Sequence, residues 1–104
     1  MKLTWLFRLI LTAILLGIGQ AGAAIVVVGQ VAAFSGPLAP TGTHMRAGAQ
    51  LYFDAVNQEG GIHGASIRLV SIDDGYKSEE TVRLAREMIR QSQPLAFIGF
   101  VGSS

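Results

Sequence analysis

An α/β fold built as a parallel β-α-β-α-β sheet is what this chain predicts, on three observations. Ile25-Val26-Val27-Val28 is a β-branched run without polar alternation, the pattern of a strand buried on both faces. Two stretches with apolar residues at helical spacing separate it from two further apolar runs. Each run leads into glycine, proline or aspartate, the residues of turns. Strands alternating with helices imply right-handed crossovers and a parallel sheet.

The first strand leads through Gly29 into a connection, Ala33 to Gly42, that contains Gly36, Pro37, Pro40 and Gly42. Two prolines and two glycines predict a loop there rather than a helix. From Thr43 to about Glu59 the pattern becomes helical, with Met45, Ala49, Tyr52 and Val56 on one stripe and Gly48 and Ala55 beside them. Arg46, Gln50, Asp54 and Gln58 fall on another face, and Gly60-Gly61 supplies the positive-φ stop.

Ser66 to Asp73 is expected as a second strand, followed by the turn Asp73-Asp74-Gly75. Ser78 is a candidate cap for the next helix, with Glu79 and Glu80 in its first turn. Val82, Ala85, Met88 and Ile89 are its expected buried stripe, with Arg83, Arg86 and Arg90 solvated and Glu79 four residues before Arg83. After Pro94, Leu95 to Val101 is expected as a third buried strand. Three parallel strands leave a bare edge and a half-covered face, the pattern of part of a domain or of a subunit awaiting a partner.

The first residues have another character. Lys2 and Arg8 precede the apolar run Leu9 to Ile18, Gly19-Gln20 breaks it, and Ala21-Gly22-Ala23 follows with small residues. This order predicts a secretory signal over residues 1–23, with 24–104 as the mature part. The ten-residue apolar run is well short of the ~20 a membrane-spanning helix needs. An uncleaved anchor extended through Ile25 to Val28 is the alternative, and Gly19, Gln20 and Gly22 speak against it. There is no cysteine, hence no disulfide and no site for the lipid of a bacterial lipoprotein. A periplasmic protein without a stable membrane anchor is expected. Cleavage after Ala23 removes Lys2 and Arg8, leaving six basic residues against seven acids, near −1. No basic patch calls for nucleic acid.

Catalytic and cofactor motifs fail in turn. Gly29 is followed by Gly36, seven positions on, so there is no G-x-G-x-x-G, and there is no G-K-[ST]. Without a glycine loop, Asp73 is not expected to hold a ribose, and Asp73-Asp74-Gly75 is expected to be a turn with an Asx cap. Ser103 and Ser104 do not match G-x-S-x-G, and no histidine pairs with them. His44 and His63 stand singly, so no metal site and no cofactor is expected, and no enzyme. Ser103 does fall at the carboxyl end of a parallel strand, where open α/β sheets bind ligands. Ser35 and Thr41 emerge at the same edge. The two serines either face an anion or cap a following helix, and spacing alone leaves both open.

In order and spacing, "FSGPLAPTG", "FDAVNQEGGIHG", "IRLVSIDDGYKSEETV" and "FIGFVGSS" resemble the N-terminal lobe of the type I periplasmic binding proteins. The likeness is greatest to the branched-chain amino-acid (leucine/isoleucine/valine) binding family of ABC importers, and it covers Ile25 to Ser104. It implies two α/β lobes closing on a small ligand, an amino acid or related carboxylate or amide, and a permease–ATPase complex as partner. It implies that Ser103 holds the ligand carboxylate, that Val101 and Gly102 line the pocket with backbone, and that Ser104 adjoins them. Thr41 matches a position where some members carry an aromatic lid, and Gly75 and Gly102 stand where some members have a disulfide. Family chains are several times longer, so this one is expected to hold part of lobe one. The same lobe also serves ligand-sensing receptors and regulators, which is the alternative function.

Overall fold

A computed structural model describes residues 24–101 of the chain. The expected signal segment and Gly102 to Ser104 lie outside the described residues. Five elements follow one another: β1 (Ile25–Ala32), α1 (Ala39–Gln58), β2 (Ser66–Asp73), α2 (Ser78–Ser92) and β3 (Ala96–Phe97). The strands form one parallel sheet in the order β2-β1-β3. The α/β parallel architecture is the one expected.

The middle strand β1 is longer than its β-branched run. It continues through Gly29-Gln30-Val31-Ala32 and pairs residue for residue with β2, from Ile25 opposite Ser66 to Ala32 opposite Asp73. Val28 to Ala33 are buried, and with Ile67 and Met88 they make the core. Gly29 packs directly under α2: a Cβ there would stand 2.5 Å from Met88 Sδ and 2.8 Å from the Phe97 ring. Only a residue without a side chain lets helix and third strand meet over β1.

Five expectations need correction. The helix α1 starts at Ala39, inside the stretch expected as loop. Pro40 sits in its first turn, where a missing N–H costs nothing and the fixed φ is already helical. A Cβ on Gly42 would collide with the Ala33 carbonyl, so this glycine lets the helix press on the exit of β1 instead of breaking it. The third strand has only two residues. Leu95 is 80% exposed and Phe100 49%, and the positive φ of Gly99 turns the chain out of the sheet. The expected helix stripes are also only partly covered, since Met45, Tyr52, Val82 and Ile89 are exposed. On α2, Arg83 meets Glu80 at 2.7 Å and Glu87 at 3.3 Å rather than Glu79. Lys77, not Ser78, is the N-cap residue, without a side-chain capping bond of its own.

The end of α1 follows expectation and adds a device. Gly60 and Gly61 both have positive φ, and Gly61 N donates to Val56 O at 2.9 Å. His63 and Gly64, both at positive φ, form the tight turn that bridges Ile62 to Ala65. Asn57 then reaches across to β2: Ile67 N donates to its Oδ1 at 2.8 Å, and its Nδ2 donates to Ile67 O at 2.9 Å. A side-chain amide thus substitutes for a fourth strand at one position of the bare edge of β2.

Candidate functional site

All three strands run the same way, so the connections after β1, β2 and β3 leave from one edge of the sheet. The first turns of α1 and α2 begin there as well. This carboxyl edge is the ligand-binding side of open α/β sheets.

Aspartates tie its first two connections together. Asp73 Oδ1 accepts from Phe34 N and from Gly75 N, each at 2.9 Å. Its carboxyl is held below the usual carboxylate range, first by the Ser35 hydroxyl and then by the Phe34 and Gly75 amides, against a smaller opposing effect of burial. Asp74, only 4% exposed, accepts from Tyr76 N at 2.9 Å and from the Thr81 hydroxyl at 2.6 Å. Its own N–H donates to Ala32 O at 2.9 Å. Both carboxylates are spent on backbone and hydroxyl partners, so Asp73-Asp74-Gly75 is the Asx turn expected, extended into a clamp between two loops. On the outside of the first connection, Arg46 from α1 lies 4.4 Å above the Phe34 ring.

The third connection is fastened from below. Ile98 N donates to Gly29 O at 2.9 Å, and Gly99 O accepts from Gln30 Nε2 at 3.3 Å. Gln30 Oε1 accepts from the Ser71 hydroxyl at 3.0 Å, so one side chain of β1 links β2 to the segment after β3. The Phe100 ring folds back to 5.7 Å from that of Phe97.

Of the residues expected at the site, Thr41 is exposed in the first turn of α1 and Val101 is half-buried just past Gly99. The topology brings these two to the same edge. Gly102, Ser103 and Ser104 lie outside the described residues. Ser35 joins the aspartate clamp. His44 and His63 are exposed, and among the described residues no group of three His, Asp or Glu is placed to hold a metal. Gln30 and Asn57 were missed by sequence reasoning. Gln30 had a signal, being a polar residue inside an apolar strand, where burial demands partners.

Comparison with known proteins agrees with the geometry. The family model described as "Periplasmic binding protein" matches residues 25–104. An amino acid binding protein of Pseudomonas aeruginosa is 30% identical over 89 residues, 86% of this chain and 24% of that protein. The crystal structure of a substrate-binding periplasmic protein from Ralstonia solanacearum superimposes with a TM-score of 0.73 at 47% identity, over 75% of this chain and 22% of that one. The branched-chain amino acid substrate-binding protein LivJ of Streptococcus pneumoniae, in complex with isoleucine, gives 0.68 at 33% identity, over 72% and 22%. A fatty acid ABC transporter substrate-binding protein from Thermomonospora curvata and an ABC transporter solute-binding protein in complex with benzoate are also matched. The chain spans 17–24% of the length of the curated relatives it matches.

Proposed function

The chain belongs to the periplasmic binding protein family, and from that premise we propose that it forms part of the first lobe of a solute-binding subunit for an ABC importer. The subunit binds an amino acid or a related small carboxylate or amide between two lobes. The observation that carries this reading is the gathering of all three connections, with both helix N-termini, at one edge of the sheet. Isoleucine and benzoate, bound by two matched proteins, share a carboxylate. Backbone N–H groups of helix first turns and serine hydroxyls are suited to hold such a group.

In this reading Ser103 donates to the ligand carboxylate, Val101, Gly102 and Ser104 line the pocket beside it, and Thr41 approaches from the first connection. The protein binds and releases; it performs no reaction. Residues 1–23 direct export and are removed after Ala23, residues 24–104 belong to the solute-binding domain, and the loaded subunit delivers its ligand to a permease–ATPase complex. Mass spectrometry of the secreted product should find Ala24 at its N-terminus; an intact Met1 would refute cleavage.

A charge-assisted hydrogen bond contributes about 1.5–3 kcal/mol. Ser103→Ala in the full-length protein should therefore weaken binding roughly 10- to 100-fold. Calorimetric titration with L-leucine, L-isoleucine, L-valine and benzoate measures this, and an unchanged dissociation constant places the hydroxyl outside the pocket.

A further inference from the structure

The middle strand carries an amide where a hydrocarbon would pack as well. Gln30 is 0% exposed, and both ends of its amide are engaged, Oε1 by the Ser71 hydroxyl and Nε2 by the Gly99 carbonyl. Burying an amide is costly unless it is bonded, and even when bonded it holds a strand in place little better than a leucine would. Leucine could not fix the Gly99 carbonyl, however, and that carbonyl stands at the point where the chain leaves the sheet.

Ile98 still bonds to β1, and the next residue, at φ +64°, turns away. A Cβ on Gly99 would lie 2.7 Å from Gln30 Nε2, so glycine and amide are packed directly together. Strand β3 is only two residues long and, among the described residues, pairs with β1 alone. Phe100 and Val101 follow Gly99 and lead into Gly102 and Ser103.

We infer that Gln30 is a positioning residue for ligand binding: oriented by Ser71 of β2, its amide fixes the Gly99 carbonyl and with it the direction in which the segment after β3 meets the ligand. This rests on the reading of that segment as the carboxylate contact. Gln30 itself touches no ligand, and it links the placement of the third connection to the edge strand on the other side of the sheet.

The test compares Gln30→Leu, Ser103→Ala and Asn57→Ala in the full-length protein. Three quantities are measured: amide hydrogen exchange over residues 98–104, affinity for L-isoleucine, and the thermal midpoint. Gln30→Leu should speed exchange over 98–104 roughly five- to tenfold, the equivalent of one lost hydrogen bond, and weaken isoleucine binding by a similar factor. Its thermal midpoint should fall less than that of Asn57→Ala, whose affinity stays at the wild-type value.

Unchanged exchange over 98–104 in Gln30→Leu overturns the inference, with or without isoleucine bound. So does a midpoint drop as large as that of Asn57→Ala with affinity intact, because Gln30 would then be only a packing residue. If Ser103→Ala weakens binding and Gln30→Leu does not, the inference fails and the proposed function stands. If Ser103→Ala binds isoleucine with full affinity, the reading of the site fails and the inference falls with it.

Discussion

Replacing Asn57 by alanine removes both bonds through which α1 closes the outer edge of β2, and their lengths of 2.8 and 2.9 Å leave little room for a weaker substitute. Each is worth about 1 kcal/mol net. Ile67 is only 7% exposed, so its N–H and C=O would be left without partners in a place that water reaches poorly. The combined cost is then about 2–3 kcal/mol. The same energy sets the local signal: the Ile67 amide should exchange roughly 30- to 150-fold faster. Asn57→Asp keeps the acceptor for Ile67 N but turns the donor into an oxygen facing Ile67 O, so it should recover at most half of the loss. Exchange at Ile67 read by NMR, together with urea denaturation, decides the matter. Alanine at position 57 with wild-type protection at Ile67 would refute the argument that this side chain substitutes for a strand.

Two further predictions concern the core and the aspartate clamp. Gly29→Ala puts a methyl against Met88 Sδ and the Phe97 ring, an overpacking cost of about 1–3 kcal/mol; the double variant with Met88→Ala should lose less than the sum of the two single losses in thermal melts, and strict additivity would deny the contact. Asp73 has a folded pKa below that of the unfolded chain, so its contribution is present above about pH 3.9 and is lost as pH falls through the folded value. Ser35→Ala removes the largest cause of that depression, so the carboxyl carbon of Asp73, followed by NMR, should titrate at higher pH; an unmoved titration would remove Ser35 from the clamp.

How far the sequence could be read depended on which residues decide each element. β1 and β2 are legible because β-branched runs have few alternatives, and the Gly60-Gly61 stop because positive φ excludes most side chains. The start of α1 is not legible in the sequence because a proline is a breaker in a helix interior and a favoured residue in the first turn, and Pro40 stands in the first turn. The third strand is shorter than its apolar run because such a run records that residues are to be covered, not what covers them. In Leu95 to Val101 the positive φ of Gly99 cuts the ladder short. The candidate site was legible as an edge of the sheet, through topology. Its fastening through Gln30 and Ser71 was not, because partners 41 residues apart meet only once the strands are in register.

The sheet order also constrains when this unit can fold. β1 comes first along the described chain yet occupies the middle of the sheet. Val26 finds its partner at Ile67, but Val28 must wait for Ala96 on the other side. The extra loop length costs only about 0.5 kcal/mol in closure entropy. The delay in time is larger: at about 5–20 residues per second of synthesis, roughly 1.5–6 s separate the emergence of the two partners. During vectorial synthesis the first strand therefore stays half-paired, with its second edge open to any passing strand, and a holding chaperone has that interval in which to act.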